Sequence, residues 1–433
     1  MTTINFASAD LWYSNPTFEA GTITGYLDYQ RPATLIKPFI QSAKPGSIGR
    51  DTPFIRASYD VAANGLLKNF HLQDLSYKCF TGFRVQLPSF HAWMAPQLVR
   101  KKWNVAGSVP VPSIIIADHE RENINLDNGI EVEILRHSSV TEIDEELPVR
   151  QHTTFSLKFL SPVDYESLLQ MTWSFETIFS FLVGRRLESA VYYLPTIETR
   201  KWNETEQSIV AESWIVPAWK RDLSPPHWRR RMFVKNSCPV GLTNLLEFCF
   251  SQNNDSLIYF MNMVLAAEMH DLKPDDCFIE ILGCLEDFDK TQFGSGSDPE
   301  IRRIRRKIQR TVDKYGDEEE RAVCAEIGKR VRNEYSLRQR LERLFKLWGD
   351  DGFRGSPDIS RIVQLRNIKP HGRGRDFSLE DFREVTTLLP ILSALFRYHI
   401  LKVLGFDRKS IAEGFARIPH RFGAFVPTAS PEV

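Results

Sequence analysis

The sequence predicts an α+β fold, with a β-rich, sandwich-like N-terminal domain followed by an all-α helical bundle. Three observations lead there. Short runs of β-branched and aromatic residues recur over residues 1–217. From residue 242 onward apolar residues instead recur at spacings of three and four. Between them lies a junction, 218–241, where PPHWRRRMF (225 to 233) joins two prolines to three consecutive arginines. The expected division is therefore a β-rich regulatory domain over 1–217, a linker over 218–241, a helical domain over 242–415 and a C-terminal tail over 416–433.

In chain order, the β-type runs are GTITGYLDY (21 to 29), CFTGFRVQLP (79 to 88), PSIIIA (112 to 117), GIEVEILRH (129 to 137) and TTFSLKFL (153 to 160). Asp127-Asn128-Gly129 is a turn signal before the fourth. A helix opening at Ser161-Pro162 and closing at Gly184 interrupts them. It is apolar on most sides through Leu168, Trp173, Phe175, Phe179 and Leu182, so it is expected to be buried against the sheet. Two more β-type runs follow, 189 to 198 and 207 to 217. Helices are then expected over 242 to 250, 255 to 270, 275 to 290, 299 to 314, 318 to 333, 336 to 348, 357 to 369 and 379 to 404. The last opens on a capping-box pattern, Ser378-Leu379-Glu380-Asp381, and stops at Gly405.

At 433 residues the chain is too long for one ordinary domain. Hydrophobic residues make up 42% and charged residues 25%, typical of a folded soluble protein. The 55 basic and 55 acidic residues cancel, which argues against a histone-like, wholly electrostatic nucleic-acid binder while allowing local basic faces. The six cysteines form no C-x-x-C pair and have no histidine at ligand spacing, so no metal and no cofactor is expected. The N-terminus lacks the pattern of a secretory signal, and no apolar run approaches the length of a membrane span. A cytoplasmic protein without membrane contact is the expectation.

One basic face stands out. Arg302, Arg303, Arg305, Arg306, Lys307, Arg310 and Lys314 surround a narrow apolar stripe of Ile301, Ile304, Ile308 and Val312. The next segments add Arg338, Arg340 and Arg343 among acids. Such helices are either solvated faces laced with i,i+4 ion pairs or a track for a phosphate backbone.

The stretch Arg366-Asn367-Ile368-Lys369-Pro370-His371 carries the chemistry. Ser356-Pro357-Asp358 is a helix start, with Ser356 as the expected cap and Ile359, Ile362 and Val363 as the buried stripe. Arg366 continues that stripe, and a guanidinium there needs an acid, a pocket open to solvent, or a phosphate. Positions five apart on a straight helix point away from each other. Pro370 lacks the N–H that would bond the Arg366 carbonyl, so the helix is expected to end near residue 369, which lets His371 swing back beside Arg366. A histidine titrating near neutrality and a permanently charged planar fork can promote attack of an RNA 2′-hydroxyl on its own phosphate. The histidine would move the proton, and the arginine would stabilise charge on the non-bridging oxygens. The nucleophile belongs to the substrate, so DNA should resist.

Arg366 to Gly372 resembles the R-N-x-x-x-H signature of HEPN domains, in the form found in the ApeA-like HEPN group of bacterial anti-phage proteins. Phe278 to Phe288, with its apolar run ending in Leu285-Glu286, is similar to the first helix of that family. Ser336 to Leu344 resembles its Arg-Leu-rich middle segment, and the similarity spans roughly 275–410. GTITGYL and Phe181 to Arg186 resemble the ApeA N-terminal domain. The resemblance implies an endoribonuclease acting in abortive infection, with catalytic residues Arg366, His371, Asn367 and Glu286. Asn367 would position the phosphate or the histidine, and Glu286 would orient the arginine or the histidine. It implies RNA contacts at Arg302, Arg303, Arg305, Arg306, Lys369 and Arg373. It also implies an RNA substrate, with transfer RNA among the candidates, a homodimer or higher homo-oligomer through the helical domain, and a phage-derived trigger at the N-terminal domain. The alternative is a non-catalytic nucleotide- or partner-binding sensor or adaptor. Pro370 directly before the histidine departs from the family pattern.

Overall fold

The computed structural model describes residues 4–6, 22–27, 31–44, 58–72, 74–94, 99–106, 109–116, 120–140, 149–185, 191–202, 205–215, 231–251, 254–268, 273–294, 299–330, 335–368 and 377–427. The chain divides into two units, Met1–Asn236 with Gly241–Asn254, and Ser237–Val240 with Asp255–Val433.

The first unit carries β1 (Ile4–Phe6), β2 (Thr22–Leu27), β3 (Arg31–Lys44), β4 (Ser58–Lys68), β5 (Phe80–Val85), α1 (Pro88–Met94), β6 (Val99–Ala106), β7 (Val109–Ile116), β8 (Glu120–Asn125), β9 (Glu131–Val140), β10 (Val149–Val163), α2 (Tyr165–Val183), β11 (Val191–Trp202), β12 (Thr205–Ile215) and α3 (Leu242–Cys249). Ten strands pair antiparallel in the order β1-β2-β3-β4-β12-β11-β5-β10-β9-β8, and β6 pairs with β7 alone. The expected sandwich is thus refined. Among the described residues the large sheet is continuous, and the layer laid on it is helical. Residues 155–160 show why: Phe155, Leu157 and Phe159 are buried, while Ser156, Lys158 and Leu160 point the other way. The buried face meets α1 and α2. Phe155 and Phe175 lie 4.1 Å apart between ring centroids, and Phe90 meets Phe179 edge-on at 4.8 Å. Each such ring contributes about 1.5–3 kcal/mol by leaving water. Gly82 lets β5 and β10 approach, because a Cβ there would lie 2.0 Å from the Leu157 carbonyl oxygen.

Two local expectations shift. Ser161-Pro162 falls at the end of β10, and α2 begins after Asp164, whose carboxylate accepts the Ser167 N–H at 2.8 Å. Gly184 closes α2 with φ of 81°. In addition, α3 belongs to the sheet unit, since Phe250 just beyond it stacks on Phe175 with centroids 6.2 Å apart. Residues 218–230 of the expected linker lie outside the described residues.

The second unit is helical: α4 (Asp255–Glu268), α5 (Pro274–Phe293), α6 (Pro299–Tyr315), α7 (Glu318–Arg330), α8 (Leu337–Asp350), α9 (Ile359–Ile368), α10 (Leu379–Val403), α11 (Arg408–Ala416) and α12 (Pro419–Phe422). Its axis is α10, which packs against α4, α5, α8, α9 and α11. Leu392 through Leu401 are buried without interruption, as expected of a helix enclosed on every side. Three large polar groups within that run are paired. Arg397 meets Glu268, the Tyr398 hydroxyl donates to Asp351 at 2.6 Å, and His399 Nε2 lies 3.1 Å from the Leu344 carbonyl. The predicted Ser378/Asp381 capping box is formed. Within the expected C-terminal tail, 416–433, the described residues up to 427 pack on the bundle: Phe425 meets Trp348, and its carbonyl accepts the Arg354 N–H.

The α6 stripe departs from expectation. Ile304 and Ile308 are about half exposed rather than packed, because α6 leans chiefly on α7.

Candidate functional site

Two helices of the second unit bring the candidate residues together. On α9, Asp358 rather than Ser356 is the N-cap: its side chain accepts the Ser360 and Arg361 N–H groups, and its carbonyl accepts that of Ile362. The wholly buried positions are Ile362 and Leu365, one step round from the expected stripe, while Ile359 and Val363 are half-buried. This rotation places Arg366 at the margin of the buried face rather than on it. The described part of α9 runs to Ile368, and the expected helix end at Pro370 lies outside the described residues.

On α5, Phe278, Ile281, Leu282, Leu285 and Phe288 are buried. Glu286 lies at the edge of that face. Its Oε2 is 3.7 Å from Arg366 Nη2, and its Oε1 is 3.2 Å from Lys290 Nζ one turn along. The Arg366 and Glu286 side chains keep 35% and 23% of their surface exposed. At 3.7 Å the carboxylate steers the guanidinium without taking up an N–H in a hydrogen bond, so among the described residues Glu286 leaves the planar fork its donors for an anion. The pair itself is worth at most about 1 kcal/mol.

Two buried or half-buried clamps hold these helices. Asp289, one turn beyond Glu286, is wholly buried and binds both Arg340 and Arg343 of α8: Arg340 Nη1 and Arg343 Nε each donate at 2.9 Å. Arg361, upstream of Arg366 on α9, donates from Nε to Glu384 and from Nη2 to Asp381 of α10, both at 2.8 Å. The hydrogen bond from Ser378 and then that from Arg361 hold the Asp381 carboxyl below the usual carboxylate range. None of these roles was read from the sequence. The available signals were the Arg340/Arg343 pair three apart and the Asp381/Glu384 pair three apart, each on one helical face.

Asn367 is exposed on α9. Lys369, Pro370, His371 and Arg373 lie outside the described residues. Arg302, Arg303, Arg305 and Arg306 all lie on α6, where Arg303 and Arg306 are exposed. Of the two readings left open for Arg338, Arg340 and Arg343, ion pairing or a phosphate track, the contacts match the first: Arg340 and Arg343 meet Asp289, and Arg338 is paired with Glu342 four positions on at 2.8 Å. The six cysteines are unbridged. Among the described residues no group of three or more His, Cys, Asp or Glu side chains converges as a metal site. Nor, among them, is any helix long and apolar enough to cross a membrane.

Two family models match the chain. That of the ApeA N-terminal domain 1 matches residues 3–191, and that of the Apea-like HEPN matches residues 279–410. No curated protein and no solved structure gives a match. The second span holds Glu286, Asp289, Arg361 and Arg366 together with His371.

Proposed function

We propose, for a chain that belongs to the ApeA-like HEPN proteins, that the helical unit is a metal-independent endoribonuclease. The family makes the chain a HEPN-type anti-phage defence protein, and RNA cleavage in abortive infection is our reading of how it acts. The observation that carries this reading is the Arg366–Glu286 pair, a guanidinium aligned by a carboxylate at 3.7 Å and still open to an anion. Arg366 would hold the non-bridging oxygens of the scissile phosphate and stabilise the charge that grows there. His371, five positions on, would take the 2′-hydroxyl proton and return one to the leaving 5′-oxygen. Asn367 would position the phosphate. Two copies would share the cleft as a homodimer, and the exposed arginines of α6 would lead the RNA backbone to it. The N-terminal unit would restrain the site until a phage-derived trigger binds.

A second reading is favoured by the same pair. A guanidinium met by an acid is also what an ordinary structural ion pair looks like, which suits a binding sensor or adaptor without catalysis.

Incubating the full-length protein with RNA in EDTA separates the two. The nuclease reading expects cleavage with 2′,3′-cyclic phosphate ends, no cutting of DNA of the same sequence, and loss of cutting in His371→Ala with its thermal unfolding unchanged. Undiminished cutting by His371→Ala removes the assignment. A chain that binds RNA or a partner but leaves the RNA whole supports the adaptor.

A further inference from the structure

The α5 helix ends on an aromatic ring that the bundle leaves uncovered. Phe293, its last residue, keeps 44% of its surface exposed. A Cβ added at Gly294, the next residue, would meet nothing within 4 Å, so the space at the helix end is open as well. Phe293 follows Glu286 by seven residues, which puts the two on one face of α5, about 10 Å apart along the axis. Glu286 is the acid that meets Arg366, so the ring and that guanidinium lie along the same side of the helix. Lys290, between them, is shared by Glu286 at 3.2 Å and Asp287 at 3.4 Å, so the acids along this face are matched by Lys290 and Arg366.

The ring is held from behind. The Arg343 guanidinium of α8 lies 4.9 Å from the Phe293 centroid and 5.1 Å from that of the half-buried Tyr335. That guanidinium is itself fixed, since its Nε donates at 2.9 Å to the wholly buried Asp289. A cation over a ring occupies one face only, and the exposed surface of Phe293 is what remains. A lone exposed phenylalanine would be an ordinary surface residue. This one is braced by a buried ion pair and stands on the face that carries the Arg366–Glu286 pair.

We propose that the Phe293 ring, backed by Arg343, is a stacking subsite for an unpaired base of the RNA, next to the phosphate held at Arg366. The proposal rests on the reading of the Arg366–Glu286 pair as an RNA site. About 10 Å of helix separates the ring from Glu286, within reach of the base of a neighbouring nucleotide. Every base has a π-face, so the platform accepts any of them, and it sets where the strand lies rather than which sequence is cut. Phe293 binds the strand and takes no part in the chemistry, so its loss raises KM and leaves kcat nearly as it was.

Fluorescent single-stranded 2′-O-methyl RNA lacks the attacking hydroxyl and stays whole, so anisotropy with the full-length chain reads affinity alone. Phe293→Ala should bind at least about fivefold more weakly, the loss of one base stack. Phe293→Leu, apolar but without a π-face, should behave as Phe293→Ala, and Phe293→Trp should bind as the wild type does. In a set of strands each lacking one base, a single position should weaken the wild type by the same factor and leave Phe293→Ala unaffected. On cleavable RNA that position should adjoin the cut. Unchanged affinity in Phe293→Ala overturns the subsite. So does Phe293→Trp no tighter than Phe293→Leu, or a Phe293→Ala chain to which each missing base costs what it costs the wild type. The nuclease reading is judged apart. A wild type that cuts RNA while Phe293→Ala binds normally keeps the nuclease and loses the subsite. A wild type that shows the single-base signature but leaves unmodified RNA whole keeps the subsite and loses the nuclease.

Discussion

Arg366 Nη2 stands 3.7 Å from Glu286 Oε2, across from one helix of the bundle to another. The distance is long enough to leave the guanidinium its donors and short enough to fix its direction. If that is the purpose of the pair, the two residues should differ in what their loss costs. Arg366→Ala should reduce RNA cleavage by about 100-fold or more, as expected for a lost transition-state donor. Glu286→Gln, which keeps the shape and removes the charge, should reduce it by about tenfold, as for a group acting through another. The double variant should be no worse than Arg366→Ala alone, because Glu286 has nothing left to align. Single-turnover cleavage rates check this, and equal losses for the two single variants would break the hierarchy.

Asp289 is the buried anchor beneath that pair. With its side chain wholly enclosed and two arginines of α8 upon it, Asp289→Ala leaves Arg340 buried without its acid. Breaking a buried pair in this way costs about 3–5 kcal/mol. Urea unfolding of the helical transition should show a loss of that order. A change below about 0.5 kcal/mol would mean that the clamp is not what joins α5 to α8.

His399 sets a pH dependence. Burial pushes its imidazole down from 6.5 to about 4, against a smaller upward pull from the Leu344 carbonyl. The folded state therefore disfavours the proton that the unfolded state accepts. The stability that depends on a neutral imidazole is complete above about pH 6.5. It is lost as pH falls from there towards 4, and nothing further is lost below that. The span corresponds to about 3 kcal/mol. Urea midpoints measured between pH 7.5 and 4 should fall more steeply for the wild type than for His399→Phe. Parallel curves would show that the imidazole does not govern this window.

Much of the helical unit could be read directly because each helix declares itself over a few turns. The apolar period, the Ser378 capping box and the stop at Gly405 place α3 to α10 within a few residues of where they lie. The sheet was harder. β3 and β4, which pair along most of their length, escaped notice because Pro32, Pro38 and Gly65 break the strand pattern and Lys37 adopts a left-handed φ of 47°. The α6 stripe misled for a related reason: an amphipathic period states that a face exists, not that the chain supplies something to cover it.

The sequence by itself determined the α+β division, the helix carrying Arg366, and the family to which the chain belongs, because these rest on local periodicity and on short ordered motifs. Only the tertiary structure decided that Ile362 and Leu365 form the inner face of α9, that Arg366 therefore sits at its margin, and that Glu286 is the acid it meets. The reason is physical. A helix's period specifies which residues share a face but not its rotation against its neighbours. That rotation is set by how the buried side chains of α9 fill the space between α5, α8 and α10.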